Sequence, residues 1–303
     1  MKPIYKIDIV FIGLNSSIIL FTGIITSLVF KKVFFLLIAL SMAVEIFYLF
    51  LTLKKPFLRF KLVKEPFPTG WREILTRQSV FYRNLDAGGR DRLEKNARII
   101  ISEIPIDGIR GKTIAIDTRV SIAMWLAVVI HGQPYWELPV RDGIVVYPGE
   151  TFNRQYVIGR GNREGQATTN SPLIVTEKSI EKTALFPGEG HNIIYHELAH
   201  YFDMEDGHVD GVPSARLSPG KVGHWKTVIH NEWKKAIKGE SILGLYAGTN
   251  EAETLATAVE MFFDSPSRLK KANSALYSIL QDFFNIDPAS ILQDMSAIAG
   301  KRV

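Results

Sequence analysis

Two long uncharged runs near the N-terminus restrict this chain more than any other feature. From Ile9 to Phe30, "IVFIGLNSSIILFTGIITSLVF" carries no charge, and from Val33 to Leu53, "VFFLLIALSMAVEIFYLFLTL" carries only Glu45. Each is close to the roughly 20 residues a helix needs to cross the hydrocarbon of a bilayer. With no water there to satisfy the backbone, a helix is the conformation open to them. Residues 1–55 are therefore predicted to form a transmembrane helical hairpin that meets the lipid bilayer through residues 9–53. A secretory signal peptide has a shorter apolar core and a small-residue cleavage site, and it gives no reason for a second run. Glu45 is costly at membrane depth. Protonation or pairing with Asn15 in the other run accounts for it, and it is assigned no function.

The flanking charges orient the hairpin. Lys2 and Lys6 precede the first run, Lys31 and Lys32 lie between the two, and five basic residues in "KKPFLRFKLVK" follow the second. The positive-inside rule then places both ends in the cytoplasm. The expected location is the cell's inner membrane, multi-pass, with the bulk of the protein cytoplasmic. These flanks also explain the basic pI. Of the 36 Lys and Arg and the 31 Asp and Glu, residues 1–65 hold nine and three, which leaves 27 basic against 28 acidic in the remaining 238 residues. A nucleic-acid-binding domain needs a basic stripe of its own, and no nucleic-acid partner is expected.

Residues 56–70, with three prolines and a glycine, read as a juxtamembrane linker, and a second domain is expected over 71–303. Its first part looks helical, "WREILTRQSVFYRNL" and, after a Gly-Gly break, "RDRLEKNARIIISEI". "IRGKTIAID" reads as a strand. "TRVSIAMWLAVVIHG" is too short to span a bilayer and reads as a core helix. "DGIVVYP" and "SPLIVTE", short and β-branched between turn residues, read as strands, with a surface loop or hairpin between them. The segment from Ser265 reads as amphipathic helices that close the domain. The class is α+β.

Within that domain, "NIIYHELAHYFD" (192–203) reads as one helix of three to four turns. Asn192 is a candidate N-cap and Gly207 a C-terminal stop. His196 and His200 lie one turn apart on one face, so both imidazoles can reach one ion. Glu197 sits one residue round, where its carboxylate can reach a water on that ion. This is the zincin pattern HExxH. Cysteine is absent, so a metal must be held by His, Asp or Glu. A core helix with the same residues would have to bury three polar side chains with no ion to satisfy them.

A catalytic zinc takes a third protein ligand and keeps an open position. The metzincin extension fails, because Asp203 and Asp206 stand where Gly and His are required. "YAGTNEAETLATAVEMFF" (246–263) offers a helix starting near Asn250, with Ala252, Leu255, Ala256, Val259 and Phe263 on its apolar face and Glu253 and Glu260 along one edge. Glu253 is the candidate ligand, though helix geometry alone also allows Glu251, and Glu253 fits equally the N3 place of a capping box. Asp203, one turn after His200, and Glu260 are candidates to orient a ligand imidazole; Asp203 reads equally well as a solvated helix-end residue.

From about Trp71 to Phe263 the chain resembles the Mlc titration factor A family of zinc peptidases, whose catalytic core is similar to that of the anthrax lethal factor protease. The resemblance rests on "GIVVYPGETF", "EGQ" followed by "SPLIVTEKSI", "GEGHNIIYHELAHYFD" with "DGVP" after it, and "YAGTNEAETLATAVEMFF", in that order. It implies a zincin-type metallopeptidase fold, Zn2+ held by His196, His200 and Glu253, Glu197 as general base, and Tyr246 as a further catalytic group. The hairpin is an addition to the family's pattern. The resemblance therefore implies a peptide or protein substrate, while the transcriptional repressor bound by the family's founding member is not carried over as partner. A zinc-dependent module that captures an unidentified regulatory protein is the alternative to an enzyme.

Overall fold

The computed structural model describes residues 6–29, 34–133, 135–140, 142–148, 172–185 and 191–292. The chain divides into two compact units, Met1–Pro66 and Phe67–Val303.

The first unit is a pair of helices, α1 (Lys6–Val29) and α2 (Phe34–Lys64). They come close together where α1 has no side chain, since a Cβ on Gly23 would lie 2.4 Å from Cβ of Ser41. A small residue at a crossing lets two backbones come together without a hydrophobic drive. The hydroxyls of Ser17 and Thr22 donate to carbonyls one turn back, Gly13 O and Ile18 O, each at 2.8 Å, so these groups need no water. The outer surface is apolar, with Phe35 83% and Phe47 63% exposed. Among the described residues one helix, Phe35–Lys64, is long and apolar enough to cross a membrane, and the described apolar stretch of α1, Gly13–Thr26, is shorter. Of the two spans expected, length and composition support one among the described residues. The expected linker also begins later than residue 56, because α2 runs through Pro56 to Lys64. Lys61 and Lys64 in its last turn suit the negative end of the helix dipole.

The second unit is mostly helical around a small parallel sheet. Helices α3 (Thr69–Gln78), α4 (Val80–Asn84) and α5 (Ala87–Glu103) lead to β1 (Ile106–Gly108), α6 (Ile116–Val129), β2 (Ile144–Tyr147) and β3 (Leu173–Thr176). Then come α7 (Glu177–Leu185), α8 (Ile193–Asp203), α9 (Pro219–Ile237), α10 (Glu251–Asp264), α11 (Pro266–Ala272) and α12 (Ser274–Phe284). The described strands pair in the order β1-β2-β3, all parallel, with Ile106 opposite Ile144 and Ile144 opposite Leu173. Every residue of α6 from Val120 to Val129 is buried, so the apolar run read as a core helix is one.

Two local expectations give way. The strand read in "IRGKTIAID" is a tight turn, Ile109–Gly111 with Arg110 at φ 58, closed by Gly108 N donating to Lys112 O at 2.6 Å. The strand is the three residues before it, too short for alternation to register. The Gly-Gly break lies inside the first turn of α5, where Asp86 accepts from Gly89 N at 2.6 Å; the cap fixes the helix start and overrides the glycines. The loop expected between β2 and β3 falls outside the described residues.

An aromatic cluster joins α8, α10 and α12. Phe202 packs edge-on to Phe283 with centroids 5.9 Å apart, and Phe262 stacks on Phe284 at 5.8 Å. The two helices that carry the expected metal ligands thus share one hydrophobic floor, and offset and edge-on rings add to the area they bury.

Candidate metal centre

Capping fixes where both helices begin. Asn192 Oδ1 accepts from Ile194 N at 3.0 Å and Tyr195 N at 3.3 Å, which starts α8 four residues before His196. Asn250 Oδ1 accepts from Glu253 N at 2.8 Å and starts α10. A turn at Met204–Asp206 and Gly207 at φ 89 end α8. Ala199 on α8 and Ala252 and Ala256 on α10 are buried and small, which lets the two helices pack closely.

At that contact three ligand atoms converge. His196 Nε2 is 3.2 Å from His200 Nε2 and 3.1 Å from Glu253 Oε2, and Oε2 is 3.5 Å from His200 Nε2. His196, His200 and Glu253 are buried. A tetrahedral zinc with bonds of about 2.0–2.1 Å holds its ligand atoms about 3.3–3.4 Å apart, so the triangle has the size such an ion requires.

Proton accounting agrees. His196 Nδ1 donates to Glu260 Oε1, which leaves Nε2 in the neutral tautomer as a lone pair facing the other two ligand atoms. Despite its nearness to both rings, Glu253 Oε2 is buried with no hydrogen-bond partner. A buried acceptor left unsatisfied is costly, and a cation satisfies all three atoms at once. With no ion present, a second proton on His196 answers the same negative charge. Burial opposes a charge on His196, but the carboxylates of Glu253 and Glu260 raise its pKa to about 9. Burial likewise opposes the Glu253 carboxylate, and the imidazoles of His196 and His200 outweigh it and hold its pKa well below the usual range.

The remaining expected residues are placed as follows. Glu197 follows His196 on α8 and is half-buried. Tyr246 lies in the turn Leu245–Gly248, 46% exposed, its ring 6.0 Å from that of His196. Glu251 turns away from the centre, since His230 Nδ1 donates to its Oε1 at 2.5 Å. Asp203 is not a solvated helix-end residue. It is fully buried, and its two oxygens accept from Gly211 N at 3.0 Å and Val212 N at 2.7 Å. Burial pushes its carboxyl up to about 6 against the pull of those two donors. Sequence reasoning missed His230, Gly211 and Trp225, whose Nε1 donates to Gly211 O at 2.9 Å. For Gly211 a signal existed in the Asp-Gly turn pair of "DGVP".

A sequence profile of the family described as glucose-regulated metallo-peptidase M90 matches residues 54–285, a range that contains every residue of the centre. An uncharacterized protein of Synechocystis sp. is 26% identical over 245 residues, which cover 75% of this chain and 88% of that protein. Mlc titration factor A of Yersinia pestis is 28% identical over 144 residues, 45% of this chain and 52% of that protein, so the match spans about half the length of that relative.

Proposed function

This chain belongs to the glucose-regulated metallo-peptidase M90 family, and on that premise we propose that it is a membrane-anchored zinc peptidase. His196, His200 and Glu253 hold the zinc ion. The single observation that carries this reading is the buried triangle of three atoms that can each serve as a ligand, 3.1–3.5 Å on a side. Zinc bound there supplies a Lewis acid for the scissile carbonyl and lowers the pKa of the attacking water toward 7.

The other steps belong to the chain. Glu197, next to a ligand and half-buried, accepts the proton of the attacking water and delivers it to the departing amine. Tyr246 donates its phenol O–H to the oxygen on which negative charge develops, a role its exposure on the same side as His196 supports. Glu260 keeps the proton of His196 on Nδ1 and the lone pair on Nε2. Residues 71–303 form the peptidase domain. α2 anchors it with α1 as a second pass, and the basic flanks put it on the cytoplasmic face.

A second reading is favoured by the name of one relative, a titration factor: the centre shapes a surface that captures a regulatory protein with little turnover. Glu197→Gln separates the two. It preserves shape and hydrogen bonding but not basicity, so the protein should keep its zinc while peptide hydrolysis falls by about 10²- to 10⁴-fold. Undiminished hydrolysis would remove Glu197 from the mechanism. A variant that retains zinc and the parent's cellular phenotype without hydrolysis would decide for capture.

A further inference from the structure

Two helices carry the proposed metal ligands, and beside their apolar packing two polar links hold the contact between them. One is the His196–Glu260 pair, in the second half of α10. The other lies at the start of α10, where Glu253 sits, and runs through the loop that leaves α8. Asp203, three residues after His200, accepts from Gly211 N and Val212 N. From α9, Trp225 Nε1 donates to Gly211 O. The third side of Gly211 rests on the first residue of α10, since a Cβ there would lie 2.5 Å from Glu251 O and 3.2 Å from Ile229 Cγ2. With φ at +76, the position is closed to other residues both by backbone conformation and by space.

We propose that Asp203 is a positioning residue of the metal centre: through the peptide of Gly211 it sets the first turn of α10, and with it Glu253, at ligand distance from the two histidines. The proposal rests on the reading of His196, His200 and Glu253 as metal ligands. Glu253 and Glu260 are about 10 Å apart along α10 at 1.5 Å per residue. A helix pinned at Glu260 alone can pivot, and a pivot displaces its far end. Three fixed contacts on Gly211 stop that end. The neighbouring acids hold the same loop at other points: Asp206 accepts from His208 N at 2.9 Å and from the hydroxyl of Ser214, and Glu205 pairs with Arg216. Neither touches Gly211, so Asp206 serves as the control for loosening in general.

The test uses the full chain in detergent and reads the dissociation constant for Zn2+ by chelator competition, with the visible spectrum of the Co2+ form as a report on coordination geometry. Asp203→Asn keeps the size of the side chain but offers one acceptor where two N–H groups point. It should weaken Zn2+ binding by about 10- to 100-fold, the usual cost of losing a group that orients a ligand, and shift the Co2+ spectrum. Gly211→Ala should do the same with Asp203 intact. Trp225→Phe, which removes one donor and keeps a core ring, should weaken binding by about fivefold and stands in if Asp203→Asn does not fold. Asp206→Asn should leave the constant unchanged. Unchanged Zn2+ affinity in Asp203→Asn and Gly211→Ala would overturn the proposal, as would an equal loss in Asp206→Asn. His200→Ala, run alongside, tells the two failures apart. If it abolishes binding while the Asp203 variant does not, the ligands stand and the positioning role falls. If His200→Ala binds as the parent does, the ligand reading and the proposal fall together.

Discussion

His230 holds Glu251 away from the candidate metal centre. Its Nδ1 lies 2.5 Å from Glu251 Oε1, on the side of α10 that faces α9, and the carboxylate left facing His196 and His200 is Glu253. Elemental analysis should therefore find metal retained in Glu251→Ala and lost in Glu253→Ala. The reverse result would reassign the third ligand.

Glu260 meets the candidate centre through Nδ1 of His196, while Nε2 of the same ring faces Glu253. Glu260→Ala leaves the buried Nδ1 of His196 without its acceptor, and Zn2+ affinity should fall by about 10- to 100-fold. Glu260→Gln restores an acceptor without the charge and should recover part of the loss. Equal affinities in parent and Glu260→Ala, measured by chelator competition, would show that the pair does not hold the ring.

His131 is a buried titratable group away from the centre, 4% exposed, its Nδ1 without a hydrogen-bond partner and its ring edge-on to Phe81. Burial, aided by Arg92, lowers its pKa from 6.5 to about 4. The folded protein resists the proton while the unfolded chain accepts it near pH 6.5. The group's contribution is therefore complete above pH 6.5 and lost as pH falls toward 4. A shift of this size is worth about 3 kcal/mol. In urea unfolding at pH 7 and 4.5, His131→Leu should lose less stability than the parent. Parallel losses would show that His131 does not titrate as its burial requires.

The apolar exposed surface of α2 predicts a partition between phases. The full chain should stay with membranes through alkaline carbonate washing, and removal of residues 1–66 should release residues 67–303 to the soluble fraction with its metal bound. A reporter fused after Val303 should register as cytoplasmic. Release of the full chain by carbonate would remove the anchor from the reading, and an external reporter signal would invert the orientation.

The site was legible where local chemistry decides. Asn192 and Asn250 announce two helix starts, and in the structure each side chain caps the turn that precedes a ligand. The four-residue step from His196 to His200 needs only helical periodicity to become a shared face. Partners distant in sequence decided the rest. Glu251 and Glu253 differ by two positions in one first turn, and the choice between them belongs to His230 on another helix. Asp203 finds its two donors eight and nine residues on, in a loop with no periodic pattern to read. In the fold, β2 and β3 were visible as strands of four with three β-branched residues each, whereas β1, with three residues, has its place only because β2 pairs with it. Pro56 marks a boundary in most sequences, and here α2 passes through it.

Glu253 and Glu260 approach opposite nitrogens of the same imidazole, His196 Nε2 and Nδ1, from one helix. Seven residues are nearly two full turns, so both carboxylates leave α10 on the same side. One residue inserted or deleted between them would swing one carboxylate about 100° around the axis, and no rigid movement of α10 could bring both back. The length of this stretch is thus a ruler fixed by the width of a histidine ring.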